Sequence, residues 1–76
     1  MKAVLTAAGR NVLCSAEDTK LGFLVKTDLG EWDWLGISRG DVVELGHRRL
    51  RISGLIRCPS GEPEVWAWMV PAPTRP

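Results

Sequence analysis

The stretch DVVELGHRRLRIS, residues 41–53, decides the fold. Hydrophobic and polar residues alternate on both sides of Gly46 and His47, and two such runs around a short Gly-containing turn are typical of a β-hairpin. In the second run Leu50 and Ile52 point to one side, and Arg49, Arg51 and Ser53 point to the other, as in a half-buried strand. The stretch therefore predicts two antiparallel strands.

Further strands flank this hairpin. Residues 21–28 alternate in the same way, and residues 64–70 form an apolar, Trp-rich run after the turn-forming segment 58–63. We expect a weaker strand over residues 11–15. These runs add two strands, and a weaker third, to the two strands of the hairpin.

A single segment has a helical signature. Asp28 is placed to cap a helical turn, and Glu31 is placed to reach back to it, as in a capping box. Gly30 and Gly36 limit this helix to one or two turns. The sequence therefore predicts an all-β fold: a small, partly open β-barrel or sandwich of four to five short antiparallel strands with one short helical turn.

Length and composition predict one domain. The chain has 76 residues, 45% of them hydrophobic, which is near the lower limit for a core that needs no partner, metal or disulfide. We expect a β domain over residues 1–70, with a flexible N-terminal arm over residues 1–20 as the alternative for that part. Residues 71–76 contain three prolines and predict an extended tail outside the sheet, which either frays or orders on a neighbour.

Metal chemistry, catalysis and membrane association have little support. Cys14 and Cys58 lack the paired spacing of a zinc site, so we expect partly buried free thiols, no metal and no cofactor. His47 is the sole histidine and lies between Gly46 and two arginines, without a carboxylate to orient it. No apolar run approaches the roughly 18–20 residues that cross a bilayer. We therefore expect neither an enzyme nor a membrane protein.

The near-neutral net charge of +1 hides an uneven distribution. Residues 37–58 carry five arginines against two carboxylates, whereas the segments before and after are each slightly acidic. Arg49, Arg51 and Arg57 share a strand face if the register continues past Gly54. That face is either a solvated exterior or a contact for phosphate groups or an acidic neighbouring subunit.

The four tryptophans form two pairs, each with a spacing of two. Trp66 and Trp68 lie on the last predicted strand, whose opposite face is also apolar, so one face of that strand must meet something other than water. Trp32 and Trp34 alternate with carboxylates in a loop-like segment. Either all four fill the core or at least one pair lies at an interface, where Trp is enriched. Stacking on single-stranded bases is the third interpretation.

The order of these features resembles a known family. The run FLVKTD (residues 23–28) leads to RGD (39–41), a strand ending near Gly46, a basic return strand, a Pro/Gly loop, a Trp-containing strand and a Pro/Arg-rich tail. This order is similar to that of the head–tail joining, or tail attachment, proteins of lambda-type tailed bacteriophages, and it covers roughly residues 20–76. The segment between Asp28 and Arg39 is longer here, and the N-terminal part is shorter.

The resemblance implies a non-enzymatic neck protein of the virion, assembled in the host cytoplasm. It implies a ring of identical subunits, six in number, that contacts the capsid connector on the portal side and the tail tube or its terminator protein. The alternative is a small barrel that binds single-stranded nucleic acid through Arg and Trp side chains. A small hydrolase or transferase ranks last. The candidate interface residues are Trp32, Trp34, Arg49, Arg51, Arg57, Trp66, Trp68 and Arg75.

Overall fold

The computed structural model describes residues 1–58 and 60–72. Six strands and one helix make up the chain: β1 (Lys2–Ala7), β2 (Arg10–Thr19), β3 (Gly22–Asp28), α1 (Leu29–Leu35), β4 (Val42–Leu45), β5 (Arg48–Arg57) and β6 (Glu64–Pro71). All neighbouring strands are antiparallel, and they form a closed barrel in the order β1-β2-β3-β6-β5-β4. The expectation of a small all-β barrel is confirmed.

The barrel has more strands than expected because residues 1–20 belong to it. These residues, for which a flexible arm was the alternative, form β1 and β2 instead. β1 then pairs with β4, where Leu5 lies opposite Leu45, and this long-range pairing closes the sheet. Closure pairs the two outer strands of the sheet, although the end of β5 extends past the short β4.

The central hairpin forms as predicted, with a turn at Gly46 and His47. The last strand is longer than predicted. Pro71 lies opposite Leu50, and the Ala72 N–H donates to the Arg49 carbonyl at 3.1 Å, so the first residues of the expected tail extend the ladder. A proline is tolerated there because the end of a strand needs no further N–H donor. Residues 73–76 lie outside the described residues.

The core follows the alternation of the strands. On β6, Val65, Ala67 and Met69 are buried, whereas the residues between them lie on the outside. Phe23 and Val25 on β3 meet them from the neighbouring strand. Because each strand contributes every second side chain, the barrel interior is filled by aliphatic residues from all six strands.

β3 and β6 approach each other closely at Gly22. Its backbone has φ +117°, and a Cβ built there would lie 2.3 Å from the Met69 carbonyl oxygen. No side chain fits at that distance, so a glycine is required where these two strands begin and end. This contact fixes the position of β6 against β3.

Helix α1 has the predicted start and end. The Asp28 side chain accepts a hydrogen bond from the Glu31 N–H at 3.1 Å, and Gly36 ends the helix in the left-handed conformation. Trp32 and Leu35 are buried, and both belong to the barrel core. The helix therefore covers one end of the barrel, which we call the helix mouth. The described residues contain no helix with the length and hydrophobicity to cross a membrane.

The two ends of the described chain lie at the opposite end of the barrel, which we call the terminal mouth. The Met1 carbonyl accepts a hydrogen bond from Ala16 in the second half of β2. Ala72 is bound to Arg49 at the start of β5, beside the Gly46 turn. The two mouths of the barrel therefore differ: a helix covers one, and both ends of the described residues lie at the other.

Candidate functional site: an apolar outer face and a groove at the helix mouth

Trp66 and Trp68 lie side by side on the outside of β6, and both are half-buried. Trp66 is flanked by Lys26 on β3 and by Ile56 on β5. Trp68 is flanked by Leu24 on β3 and by a glycine on β5, which leaves one side of its ring open. Together with Val70, these side chains form a continuous apolar surface across three strands. The outer Trp face comprises Leu24, Lys26, Ile56, Trp66, Trp68 and Val70.

Polar contacts hold the indole of Trp66 in place. Its Nε1 donates to the Glu64 Oε1 at 2.6 Å, and the Lys26 Nζ lies 4.8 Å from the ring centroid. A cation over an indole face is attracted by the ring quadrupole, and its aliphatic stem adds apolar contact. The indole is therefore oriented on the surface before any partner arrives.

The first tryptophan pair is split by α1. Trp32 points into the core with 5% of its surface exposed, whereas Trp34 is 52% exposed. The expectation that Trp32 lies at an interface is therefore corrected, because its side chain fills the helix mouth. Trp34 is the member of this pair whose ring is largely exposed to solvent.

Arg10 is a functional candidate that the sequence did not indicate. Its guanidinium lies 5.1 Å from the centroid of the Trp34 ring and donates a hydrogen bond to the Trp34 carbonyl. The two residues are 24 positions apart, and their proximity depends on where α1 packs against the start of β2. The pair presents a cation and an indole together at the surface.

The three arginines of β5 do not share a face. Arg49 and Arg51 are exposed on the outside of the barrel, opposite Glu44 and Val42 of β4. The register then shifts between Ile52 and Gly54 because a bulge places an extra residue there. Because the register does not continue unchanged past Gly54, Arg57 does not share a strand face with Arg49 and Arg51.

Arg57 lies instead at a groove beside the helix mouth. The groove has a volume of about 290 Å³ and separates α1 from the end of β5. Leu29, Trp32 and Asp33 form one wall, and Leu55, Ile56, Arg57 and Val65 form the other. Of the remaining candidate residues, Arg75 lies outside the described residues.

The two cysteines are free thiols, as expected, and they differ in environment. Burial raises the pKa of the Cys14 thiol to about 11, and the negative charge of Glu31 adds to this shift. A thiol that stays protonated at neutral pH is a poor nucleophile. Cys14 is therefore a structural residue of the core.

Cys58 is half-buried and belongs to a small cluster at the loop before β6. Its Sγ and the carboxylates of Glu62 and Glu64 lie within 4.8 Å of one another, so these three side chains could hold a divalent cation. Each of two members already has a protein partner: Cys58 contacts the Ser60 hydroxyl at 3.0 Å, and Glu64 accepts from Trp66. The spacing of the two cysteines gave no indication of this cluster.

Compared with protein-family models, with curated proteins and with solved structures, the chain has no significant match.

Proposed function

We propose that this chain is a structural subunit of a bacteriophage neck, which joins a filled head to a tail, and that it is not an enzyme. The outer Trp face is the observation that carries the proposal. A strand of a small barrel that buries Val65, Ala67 and Met69 inside and also carries Trp66 and Trp68 outside has more apolar surface than its own core uses. Such surplus surface is typical of a subunit that packs against neighbours.

The size of the outer Trp face suits a protein interface. Two half-buried tryptophans, with part of each indole still exposed, lie at its centre, and Leu24, Ile56 and Val70 extend it. A stable interface buries about 800 Å² per partner, with aromatic anchors at its centre. The face could therefore supply the aromatic anchors at the centre of one such interface. Polar residues around the face would supply the rest of the buried area.

The resemblance to head–tail joining proteins adds the identity of the neighbours. The features that carry it correspond to β3, the turn before β4, the β4–β5 hairpin, the loop after β5 and β6. In this proposal the barrel assembles into a ring of identical subunits, six by resemblance, between the capsid connector and the tail tube or its terminator protein. It acts in the virion and is assembled in the host cytoplasm.

The environment of the reactive side chains supports a structural function. His47 is exposed at the β4–β5 turn, at the terminal mouth, where no carboxylate is adjacent to it in sequence. Cys14 is buried with a raised pKa. A nucleophile–base pair requires the two groups within hydrogen-bond distance and a partner that orients the base.

Deletion of the gene in the phage or prophage that encodes the chain tests the proposal. We expect filled heads and separate tails by electron microscopy, and recovery of infectious particles when the purified protein is added. Trp68→Ala should lose this recovery because it removes an anchor of the outer Trp face. Leu13→Ala is the matched control, since Leu13 is 68% exposed on β2 and lies outside that face.

The result that would contradict the proposal is normal joining of heads and tails without the gene. Normal joining by Trp68→Ala would instead reject the outer Trp face as the contact. Trp32→Ala is unsuitable for this experiment because the residue lies in the core.

A second candidate function is binding of single-stranded nucleic acid, and the Arg10–Trp34 pair favours it. An exposed indole beside a guanidinium combines base stacking with phosphate attraction. Titration of the chain with oligothymidine, followed by Trp fluorescence, should then show quenching that weakens steeply with added salt. Such quenching, abolished by Trp34→Ala, would favour this function over the neck protein. Unchanged fluorescence at low salt would reject it.

A further inference from the structure

The two halves of β5 differ in how they are paired. Its first four residues, from Arg48 to Arg51, pair with β4. The next residue, Ile52, still exchanges backbone hydrogen bonds with Gly40 and Asp41, which precede β4. The second half of β5, up to Arg57, pairs with β6 alone. Because β4 has four residues and β5 has ten, the end of β5 extends past its neighbour. Within residues 1–58 and 60–72, no strand covers this edge.

The backbone groups at this edge can be assigned. The Cys58 N–H donates to the Glu64 carbonyl across the β5–β6 pair at 3.0 Å. Residues of a strand alternate in the edge toward which their N–H and C=O groups point. The backbone groups of Leu55 and Arg57 therefore point away from β6, toward the open edge. An unpaired strand edge of this kind is a template for an added strand.

The groove at the helix mouth lies directly beside this edge. Leu55, Ile56 and Arg57 form one wall of it, and Trp32 and Asp33 of α1 face them. Its volume of about 290 Å³ is at the lower end of ligand pockets, which suits a few residues of one extended chain and excludes a folded element. The groove thus combines unpaired backbone groups, an aromatic side chain and one charge of each sign.

We propose that residues 73–76 of a second copy of this chain bind in the groove and add a short strand to the free edge of β5. Two of the four residues of this segment, PTRP, are prolines, and the ring of a proline fixes φ near −65° whether the segment is free or bound. It therefore loses little conformational entropy on binding. Pro-rich segments bind grooves lined by aromatic side chains, and strand addition supplies main-chain hydrogen bonds.

The residues of the segment match the groove individually. Thr74 has both an N–H and a C=O, so it can exchange two hydrogen bonds with Leu55 or Arg57, while Pro73 needs no donor on the far side. Arg75 provides a cation for the Asp33 carboxylate. In this arrangement Asp33 has a cationic partner, and the open edge of β5 has a hydrogen-bonding partner.

The segment must come from another copy. Ala72 lies at the terminal mouth, whereas the groove lies at the helix mouth beside Val65. Val65 and Pro71 are six residue steps apart on β6, which corresponds to about 20 Å. Residues 73–76 span at most about 14 Å. The contact would therefore join the terminal mouth of one barrel to the helix mouth of the next, which is a head-to-tail contact. The inference rests on the proposed function for the presence of a neighbouring copy.

Photo-crosslinking of the full chain tests this contact. A chain with Thr74→p-benzoyl-phenylalanine is mixed, at equal amounts of ¹⁵N-labelled and unlabelled protein, and irradiated over a range of concentrations. We expect adducts of mixed isotope composition that map to residues 29–33 or 55–57 and that increase with concentration. Adducts within one chain, adducts mapped elsewhere or no adduct at millimolar protein would overturn the inference.

Two variants separate the backbone and charge contributions. Arg57→Pro removes the N–H at the open edge and keeps the ladder to β6, so the adduct yield should fall about tenfold, whereas Arg57→Ala should keep most of it. Asp33→Lys, on the exposed side of α1, should lower the yield through repulsion of Arg75. If both Arg57→Pro and Asp33→Lys leave the yield unchanged, the inference is wrong.

Crosslinking and gene deletion together distinguish failure of the inference from failure of the proposed function. If gene deletion separates heads from tails but no groove adduct forms, the neck assignment stands and this contact is rejected. If the groove adduct forms and virions join normally without the gene, the contact stands and the neck assignment is rejected.

Discussion

The two tryptophan pairs have the same spacing in the sequence and opposite arrangements in the structure. Trp66 and Trp68 lie on β6, are both half-buried and point to the same side of the sheet. Trp32 and Trp34 lie on α1, where one is in the core and the other is in solvent. A separation of two residues is a full period of a strand, but on a helix it is a rotation of about 200°.

The two arrangements give the tryptophans different roles in packing and in surface contact. On the strand, both indoles add to one surface, so the pair makes a patch. On the helix, one indole anchors α1 to the barrel and the other extends from it toward Arg10. Substitution of each tryptophan by itself therefore tests whether the two pairs differ in this way.

The largest effect is expected within the helical pair. Trp32→Ala should lower the free energy of unfolding by about 3–5 kcal/mol because it leaves a cavity under α1. Trp34→Ala should cost only about 0.5–1 kcal/mol, the value of an exposed cation–π contact. Equilibrium unfolding in urea measures both. Equal losses for the two variants would contradict the split arrangement.

The strand pair should show a smaller and more even effect. Trp66→Ala and Trp68→Ala should each lower the free energy of unfolding by about 1–2 kcal/mol, since each side chain is half-buried on the outer face. The same urea titrations apply, with Leu13→Ala as an exposed control. A loss above about 3 kcal/mol for one member alone would show that it belongs to the core.

Substitution of Asp28, the N-cap of α1, tests how the helix that carries Trp32 and Trp34 is stabilised. Asp28→Ala removes the acceptor of the Glu31 N–H and should lower the free energy of unfolding by about 1 kcal/mol. Asp28→Asn, which keeps an acceptor oxygen, should recover most of the loss. Because the cap acts on α1, the emission of Trp34 should change more than that of the β6 pair. No difference between the Ala and Asn variants would reject the cap.

An effect that is absent at neutral pH is expected for the buried Cys14 thiol. Burial raises the pKa of Cys14 from 9.0 to about 11, so the folded state keeps its proton at a pH where the unfolded state loses it. This thiol therefore destabilises the fold progressively as pH rises from 9 to 11 and has no such effect below pH 9. Thermal unfolding of the wild type and Cys14→Ala from pH 8 to 11 should show a steeper decline for the wild type. Parallel declines would contradict the raised pKa.

Local patterns were sufficient to predict much of the fold. The alternation in residues 41–53 gave both strands and the turn of the central hairpin, and the Asp28 cap gave the start of α1. These features depend on neighbours in sequence, where periodicity and capping chemistry act directly.

Features that depend on distant residues were not predictable. Closure requires β1 to pair with β4, about 40 residues away, and nothing in the composition of β1 indicates that partner. The bulge before Gly54 moved Arg57 off the face of Arg49, and a bulge has no unique sequence signal. The alternation of charges around Trp32 indicated a loop, although the core position of this residue follows from the rotation of α1.

The placement of Met1 and Ala72 at one mouth has a practical consequence for handling the molecule. A dye or tether attached through a cysteine placed at position 1 or 72 lies at the terminal mouth in both cases, away from the helix mouth. Chains tethered to a surface in this way share a single orientation and display α1 to the solution. Any binding at the helix mouth can therefore be measured on an immobilised layer in which every molecule is equally accessible.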